Sequence, residues 1–380
     1  MVSKKSVNVI QERALVYNPS PYQKILTYGA NNLYPQVISE LIYASKTASL
    51  SVERLSEAIE CEGFFYEAFA NRKNDRGETL DDILNTVAYD IARFRGCAMI
   101  VQYGFDYLPK ALYPVPFEYV RASLNDNYLT DRVVHKWTVF DNWEGRSSSS
   151  TNKNETGVEY PTFNKESFRE ECEDFGGIEH HPGQLLYVNF FTTKPYPLSP
   201  FHAVQSEMQT EALNSTRVQK TLMRGFHSCS IVSHGDFAEQ EEQDEFVEGI
   251  TDMMGSDNAG SVITVRNENI SEGKPWIKVD NLGTPIDSDT YTAYTEPLKK
   301  DIASQAYNIP IPLVDSSLIS FSNSSGEVVK EMQKVYRRGL TKIRSKISRE
   351  LADVFDVPVE FCEIHNELEI TQNEQQQQAN

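Results

Sequence analysis

The chain has 380 residues, a formal net charge of -19 at pH 7 and 39% hydrophobic residues. Its mean hydropathy is -0.47, and no apolar run reaches the length that a membrane-spanning helix needs. These values predict a soluble protein of one to three domains. Because a protein that grips DNA needs clustered Lys and Arg, the acidic balance excludes such a surface except as a local patch. The amino-terminal residues lack the apolar core of a secretory signal, so we expect a cytoplasmic protein.

The sequence lacks the motifs that accompany catalysis, cofactors and metals. Its five cysteines are scattered and none forms a C-x-x-C pair, which argues against a disulfide framework and a zinc site. His180 and His181 are adjacent, so their side chains diverge, and we interpret them as a loop pair rather than metal ligands. No phosphate-binding loop, nucleophile elbow or zinc-protease helix occurs. We predict no catalytic residue, no cofactor and no metal, and a protein that is not an enzyme.

The amino-terminal half alternates helices with strands. Pro35 suits the first turn of a helix, residues 45–51 interrupt the helical pattern, and the pattern then resumes. Another helix is predicted over 79–95, with Thr79 as its cap and Gly96 as its end. Strands are predicted at 97–103, within 105–124, at 133–140 and at 185–191, and a polar surface insertion at about 141–180.

Two long helices are predicted further along. The first extends from about 201 to 224, with Ser199 as its cap and Pro200 at its first position. The second covers 288–307, and Pro297 inside it predicts either a kink or the true start of the helix. Between them the sequence predicts strands at 226–232 and 261–265, separated by the segment 236–248 with seven acidic residues and no basic one.

The stretch from about 298 to 340 organises the chain. Its helix ends at Tyr307-Asn308, because Pro310 and Pro312 lack an N–H group and disfavour helix in the residue before them. A serine-rich loop then extends to Gly326. One long helix is predicted to begin near Glu327, with its apolar residues on one face: Met332, Tyr336, Leu340, Ile343, Ile347 and Leu351.

The order of these segments carries a family resemblance. A Ser-Pro start of a long helix, a Gly before a strand, an acidic helix and Asn258-Ala259-Gly260 before a strand follow one another. Then come Ile302-Ala303, Ile309-Pro310 and a loop that contains Ser322-Asn323. In this succession the chain resembles the portal proteins of tailed bacteriophages, the head-to-tail connectors, over roughly residues 75–355.

The resemblance implies an α+β portal fold. Its parts are an α/β wing, a helical stem, a small α/β clip, a tunnel loop and a long helix, with a minimal crown or none. The implied segments are the wing at 1–198 with a flexible insertion at about 141–180, the first stem helix at 199–226, the clip at 227–287, the second stem helix at 288–309, the tunnel loop at 310–326, a wing or crown helix with a carboxyl-terminal strand at 327–365, and a disordered tail at 366–380.

The resemblance also implies a function. A portal protein forms a ring of about twelve copies at one capsid vertex. Double-stranded DNA passes through its channel during packaging and ejection, without sequence-specific contacts. The implied partners are further copies of the chain, the major capsid protein, the terminase large subunit and head–tail connector or adaptor proteins, with no membrane. The implied location is the portal vertex of the virion, after assembly in the host cytoplasm.

The implied rim of the channel is polar and uncharged. Such a rim can touch phosphates without gripping them, and an acidic wall around it repels DNA, which suits a conduit better than a clamp. The residues of the tunnel loop that the resemblance implies to face DNA are Ser316, Ser317, Ser320, Ser322, Asn323, Ser324 and Ser325.

Two charged segments are candidate contact surfaces. The acidic segment is either a solvated helix or a clip helix that docks a partner, through Glu239, Glu241, Glu242, Asp244 and Glu245. The long helix carries the basic residues Lys330, Lys334, Arg337, Arg338 and Lys342. They form the polar face of an amphipathic helix, a surface that pairs with an acidic neighbouring subunit, or a contact with DNA near the channel mouth. We favour the pairing between subunits, because a ring repeats one contact between two complementary faces.

Two other classes of protein stay open at this stage. One is a non-catalytic helical adaptor or structural protein unrelated to portals, which would share the composition without assembling into rings. The other is an enzyme whose site forms only between subunits. Ring assembly tests the first class, and a nuclease or nucleotide-hydrolysis assay tests the second.

Overall fold

A computed structural model describes residues 19–20, 24–124, 133–143, 157–191, 194–223, 229–234, 241, 244–245, 248, 261–266, 277–282, 288–314 and 325–362. The chain divides into two compact units. The first comprises Met1–Tyr43, Thr47–Gln205 and Ile302–Asn380, and the second comprises Ala44–Lys46 and Ser206–Asp301. Helices and small sheets occur in both units, so the predicted mixed α+β class is confirmed.

The amino-terminal helices bury one apolar stripe each. Their bounds are α1 (Tyr34–Ala44), α2 (Lys46–Glu60), α3 (Glu67–Ala70), α4 (Leu80–Phe94) and α5 (Phe168–Asp174). Pro35 lies in the first turn of α1, as predicted. The predicted interruption at 45–51 is wrong beyond Ser45, because α2 already begins at Lys46 and buries Ala48, Val52, Leu55 and Ile59. Periodicity missed this start because serines and a threonine fill the first turns of α2.

Three antiparallel sheets lie in the described part of the first unit. A two-stranded ribbon joins β1 (Pro19–Ser20) to β2 (Ile25–Leu26). The sheet with the order β4–β3–β8 is formed by β3 (Gly96–Tyr103), β4 (Pro109–Val115) and β8 (Gln184–Asn189). The sheet with the order β5–β6–β7 is formed by β5 (Val120–Ala122), β6 (Lys136–Val139) and β7 (Val158–Pro161).

The prediction of a surface insertion over 141–180 is corrected by two of these elements. β7 completes a sheet, and α5 buries Phe168 and Cys172 at 2% exposure each. Phe168 stacks on Tyr103 of β3 with ring centroids 3.5 Å apart. Two apolar residues in a highly charged segment are a weak sequence signal, although they suffice to bury one face of a two-turn helix. Residues 144–156 lie outside the described part of the chain.

Helix α4 is capped as predicted at its start and differently at its end. The Thr79 side chain accepts a hydrogen bond from the Asp82 N–H group, and Asp82 reciprocates, which forms a capping box. At the other end Arg95, not Gly96, adopts the left-handed conformation, with φ 57. Gly96 is the first residue of β3, and a Cβ atom there would lie 2.6 Å from the Phe117 ring. Its role is therefore close packing rather than helix termination.

The described part of the second unit contains a small three-stranded sheet. Its strands are β9 (Cys229–His234), β10 (Ser261–Arg266) and β11 (Ile277–Leu282). β9 is central, β10 pairs with it in parallel and β11 in antiparallel. The first two strands were predicted and the third was not.

Two helices extend across the boundary between the units. A short 3-10 helix, Pro200–Val204, leads into α6 (Gln205–Met223). Ser199 caps it by accepting the Phe201 N–H group, and Pro200 stands in its first turn, as predicted. Helix α7 (Ser288–Gln305) contains Pro297 in its interior, so the alternative that Pro297 begins the helix is wrong.

Three helices form the carboxyl-terminal part: α8 (Ile311–Val314), α9 (Ser325–Gly339) and α10 (Thr341–Phe355). The predicted single long helix is thus two helices. The predicted strand near 357–361 is a single bridge between Phe64 and Phe361. The apolar face of α10 reaches the main core, since Ile347 and Leu351 line a small apolar cavity together with Leu84, Met99 and Leu112. Within the described ranges, no helix is long and apolar enough to cross a membrane.

Candidate assembly and channel region

The region of the predicted tunnel loop begins with a sharp turn after α7. Tyr307 and Asn308 adopt left-handed conformations, with φ 55 and 56. Asn308 donates its N–H group to the Ser304 carbonyl at 3.0 Å, which closes the last turn of the helix. Pro310 then prevents continuation, as predicted, and Pro312 is accommodated in the first turn of α8. One helical turn therefore occupies the start of the segment 310–326 that was predicted to be a loop.

A buried tyrosine attaches α9 to this turn. The Tyr336 hydroxyl donates a hydrogen bond to the Ala306 carbonyl at 2.7 Å. Burial raises the pKa of Tyr336, so it stays a neutral donor across the physiological range. Ala306 is fully buried and Ile309 is 3% exposed. The end of α7 and the beginning of the carboxyl-terminal helices are thus fixed to each other within the first unit.

An arginine from α10 stabilises the break between α9 and α10. Arg344 is 1% exposed. It donates to the Arg337 carbonyl at 2.8 Å and to the Ala58 carbonyl at 2.9 Å. The last carbonyls of a helix lack partners inside the helix, and Leu340 leaves helical geometry with φ -97 and ψ 2. Arg344 supplies a donor at that point and ties the break to α2.

The predicted basic residues lie mostly in solvent. Lys330, Lys334, Arg338 and Lys342 are exposed, and Arg337 is half-buried. Lys346, four residues after Lys342, turns inward and donates to the Asn189 carbonyl at 2.6 Å. The basic cluster is therefore a solvent-facing surface of the first unit.

The other predicted site residues are only partly described. Ser316, Ser317, Ser320, Ser322, Asn323 and Ser324 lie outside the described residues, while Ser325 opens α9. Glu239 and Glu242 also lie outside them. Glu241, Asp244 and Glu245 are helical and exposed and belong to the second unit, whereas the basic cluster belongs to the first.

A buried arginine that sequence reasoning missed binds the segment just before α1. Arg121 is fully buried and donates to the Asn32 side-chain oxygen at 2.7 Å and to the Asn32 carbonyl at 2.8 Å. Burial lowers its pKa to about 10, so it stays charged at neutral pH. Beside it Tyr28 stacks on Tyr196, with centroids 4.2 Å apart, and donates to the Pro197 carbonyl at 2.6 Å. The Asn-Asn-Leu-Tyr-Pro segment at 31–35 was the sequence signal for this cluster.

A second missed feature is an acidic–aromatic cleft of about 300 Å³. We use this name for the cleft lined by Glu40, Tyr43, Glu118, Tyr119 and Asp141, together with Gln36, Ser39 and Asn142. The Ser39 hydroxyl donates to the Glu118 carboxylate at 2.8 Å, which fixes one wall. Tyr43 is 63% exposed at the cleft. The residues come from distant parts of the sequence, so no local motif announces them.

The histidine pair is not symmetric in its surroundings. His180 ends a short 3-10 helix, Ile178–His180, whereas the His181 side chain is 1% exposed. His181 accepts the Gly183 N–H group at 3.0 Å through Nδ1, and its Nε2 lies 3.3 Å from Glu171. Within the part of the chain that the structure describes, no three His, Cys, Asp or Glu residues form a group that could hold a metal.

Comparison with solved structures finds chains of virus-like particles that share this fold. A chain in the neck of the native gene transfer agent (GTA) particle, computed with C12 symmetry, matches with a TM-score of 0.52 and 13% identity, covering 86% of this chain and 83% of that one. The fold is that of a particle-neck chain. A chain in the virion of the native GTA particle matches with a TM-score of 0.51 and 13% identity, covering 85% and 82%.

One solved portal protein also resembles this chain. The HK97-family phage portal protein from Corynebacterium diphtheriae matches with a TM-score of 0.43 and 11% identity, covering 77% of this chain and 83% of that one, which is too distant to support an argument. No protein-family model and no curated protein matches the sequence. At such identities the likeness establishes a shared fold and not a shared activity.

Proposed function

We propose that this chain is the portal protein of a phage-like particle. It forms a ring at one vertex of the capsid, provides the channel for packaging and ejection of double-stranded DNA, and offers a docking platform for the terminase and for head–tail connector proteins. The observation that carries the proposal is the fold shared with a GTA neck chain over more than four fifths of both chains. That neck was computed with C12 symmetry, which supports a ring of about twelve copies here.

The charge of the chain supports a channel rather than a clamp. A net charge of -19 repels DNA phosphates. The proposed tunnel loop, which includes 315–324, contains Asp315 as its only charged residue and is otherwise polar or apolar. In this proposal the role is mechanical and non-enzymatic: the protein guides DNA and transmits contacts among the capsid, the motor and the tail. Its place is the portal vertex of the virion.

Electron microscopy of the purified full-length chain, together with its mass in solution, tests the proposal. We expect rings with a central hole wide enough for duplex DNA. A chain that stays monomeric both alone and with its capsid protein would favour the unrelated adaptor class. Nuclease activity or nucleotide hydrolysis that purified rings retain after contaminating enzymes have been controlled for would instead favour an enzyme whose site lies between subunits.

A further inference from the structure

The exposed cations of the carboxyl-terminal helices form a ridge. Lys330, Lys334 and Arg338 follow one another on α9 at intervals of four residues, and Lys342 is the second residue of α10, beyond the break at Leu340. Residues four apart lie side by side on a helix, and like charges at this spacing destabilise it. Among the described residues, no acidic side chain forms an ion pair with Lys330, Lys334 or Lys342. The exposed carboxylates Glu327 and Glu331 stand three residues before Lys330 and Lys334 and offset part of this repulsion.

Apolar residues on the same helix face solvent as well. Val328 is 47% exposed and Val335 is 60% exposed. They stand seven residues apart, which places them on one face of α9. On the buried side of this helix, Tyr336 is buried and donates a hydrogen bond to the Ala306 carbonyl. A helix that exposes both an apolar pair and a row of cations has the composition of a contact surface.

The acidic–aromatic cleft has the complementary chemistry. Glu40 and Asp141 are exposed, whereas the Glu118 carboxylate accepts from Ser39 and lies 4.0 Å from the buried guanidinium of Arg93. Carboxylates accept charge-assisted hydrogen bonds from Lys and Arg, and an exposed tyrosine ring such as that of Tyr43 attracts a cation to its face. Because carboxylates and rings occur together, the cleft suits an incoming Lys or Arg side chain better than a free anion or an apolar group.

We propose that the cation ridge of one copy docks into the acidic–aromatic cleft of the next copy around the ring. This inference rests on the proposed function, since it names the contact that joins neighbouring subunits. A ring requires two different, complementary surfaces on each subunit. The first unit carries both of them: a ridge of cations and a cleft of carboxylates. The exposed valines of α9 lose water in the same contact, which adds an apolar contribution.

A charge-exchange experiment on the full-length chain tests this pairing. The variants are Lys334→Glu, Glu40→Lys and the double exchange, with Lys136→Glu as a control that carries the same charge change on an exposed residue outside the ridge. Assembly is measured by mass photometry and electron microscopy over a range of protein concentrations, at low and at high salt. Circular dichroism establishes that each variant is folded, and Lys334→Gln and Glu40→Gln replace any variant that is not.

We expect each single reversal to raise the concentration for half-assembly by about tenfold. The double exchange should recover most of that loss, and high salt should weaken wild-type rings. Single variants that assemble like the wild type, or a double variant whose loss equals the product of both single losses, would overturn the pairing and leave the ring intact. A wild-type chain that never assembles would overturn both the ring and the pairing.

Discussion

The Tyr336 hydroxyl lies 2.7 Å from the Ala306 carbonyl and donates a hydrogen bond to it. The two residues lie on opposite sides of the proposed tunnel loop along the chain, so this bond joins the two segments that flank the loop. The acceptor follows directly after α7, where the chain turns and the carbonyl has no helical partner. This buried contact therefore links the end of the proposed stem helix to the helix behind the loop.

Removing this hydroxyl should lower stability without changing the shape of the side chain. We expect Tyr336→Phe to lower the free energy of unfolding by about 1 kcal/mol, because a buried carbonyl loses its donor. Urea denaturation of both proteins measures the change. Tyr66→Phe is the matched control, since Tyr66 is 40% exposed. Equal losses in the two variants would show that the Tyr336 bond contributes nothing specific.

Arg344 is predicted to be irreplaceable by lysine. Its guanidinium reaches two carbonyls on different elements at once, whereas an ammonium group lacks that forked geometry. We expect Arg344→Lys to cost about 2–4 kcal/mol, since hydrogen bonds from a charged donor are stronger than neutral ones. The exposed Arg349→Lys on the same helix provides the comparison and should change stability little. If Arg344→Lys were as stable as the wild type in urea, the two hydrogen bonds of the guanidinium would not be needed for stability.

Replacing Gly96 and Gly326 by alanine should change the stability of the protein in opposite directions. A Cβ atom at Gly96 would lie 2.6 Å from the Phe117 ring, so we expect Gly96→Ala to destabilise the protein by about 1–3 kcal/mol through overpacking. A Cβ atom at Gly326, in the first turn of α9, meets no atom within 4 Å. There Ala should stabilise the helix by about 0.5 kcal/mol. Thermal melts measure the change in melting temperature of each variant relative to the wild type. Changes in the same direction would contradict the steric account of Gly96.

The stability of the protein should fall in mild acid because of His181. Burial lowers the pKa of His181 from its ordinary value of 6.5. The unfolded chain therefore binds the proton more tightly than the folded chain does. The stabilising contribution is complete above about pH 6.5 and is lost as the pH falls through the lower folded pKa.

The comparison of wild type with His181→Gln isolates this contribution. Gln cannot titrate, so the difference in urea midpoint between the two proteins should change between neutral and acidic pH, to the disadvantage of the wild type in acid. Other titrating groups are common to both proteins and cancel. Parallel pH profiles for the two proteins would rule out a titrating His181.

Positive charge added to the proposed tunnel loop should slow the passage of DNA through the channel. Each Lys attracts phosphates and must release them as DNA moves. We expect Ser322→Lys with Ser324→Lys to reduce the rate of DNA packaging, and to do so most strongly at low salt. Ser322→Gln with Ser324→Gln changes size without charge and should package close to the wild-type rate. Unchanged packaging in the lysine variant would argue that this loop does not line the channel.

The sequence alone determined the elements with strong local signals. Thr79 and Ser199 cap their helices by short-range hydrogen bonds, and Pro310 ends α7 because it lacks a donor. The periodic apolar residues of α4 and α10 also identified their buried faces. These features depend on neighbours within a few residues, which is the range over which sequence patterns report structure.

Tertiary structure alone decided the features that join distant residues. Arg344 donates to the Ala58 carbonyl across 286 positions and ties the break between α9 and α10 to α2, and Arg121 reaches back to Asn32, just before α1. Likewise the acidic–aromatic cleft combines residues from α1 with Glu118 and Asp141. Buried arginines and composite clefts depend on which segments the fold brings into contact. That choice depends on the packing of the whole core, which no local pattern encodes.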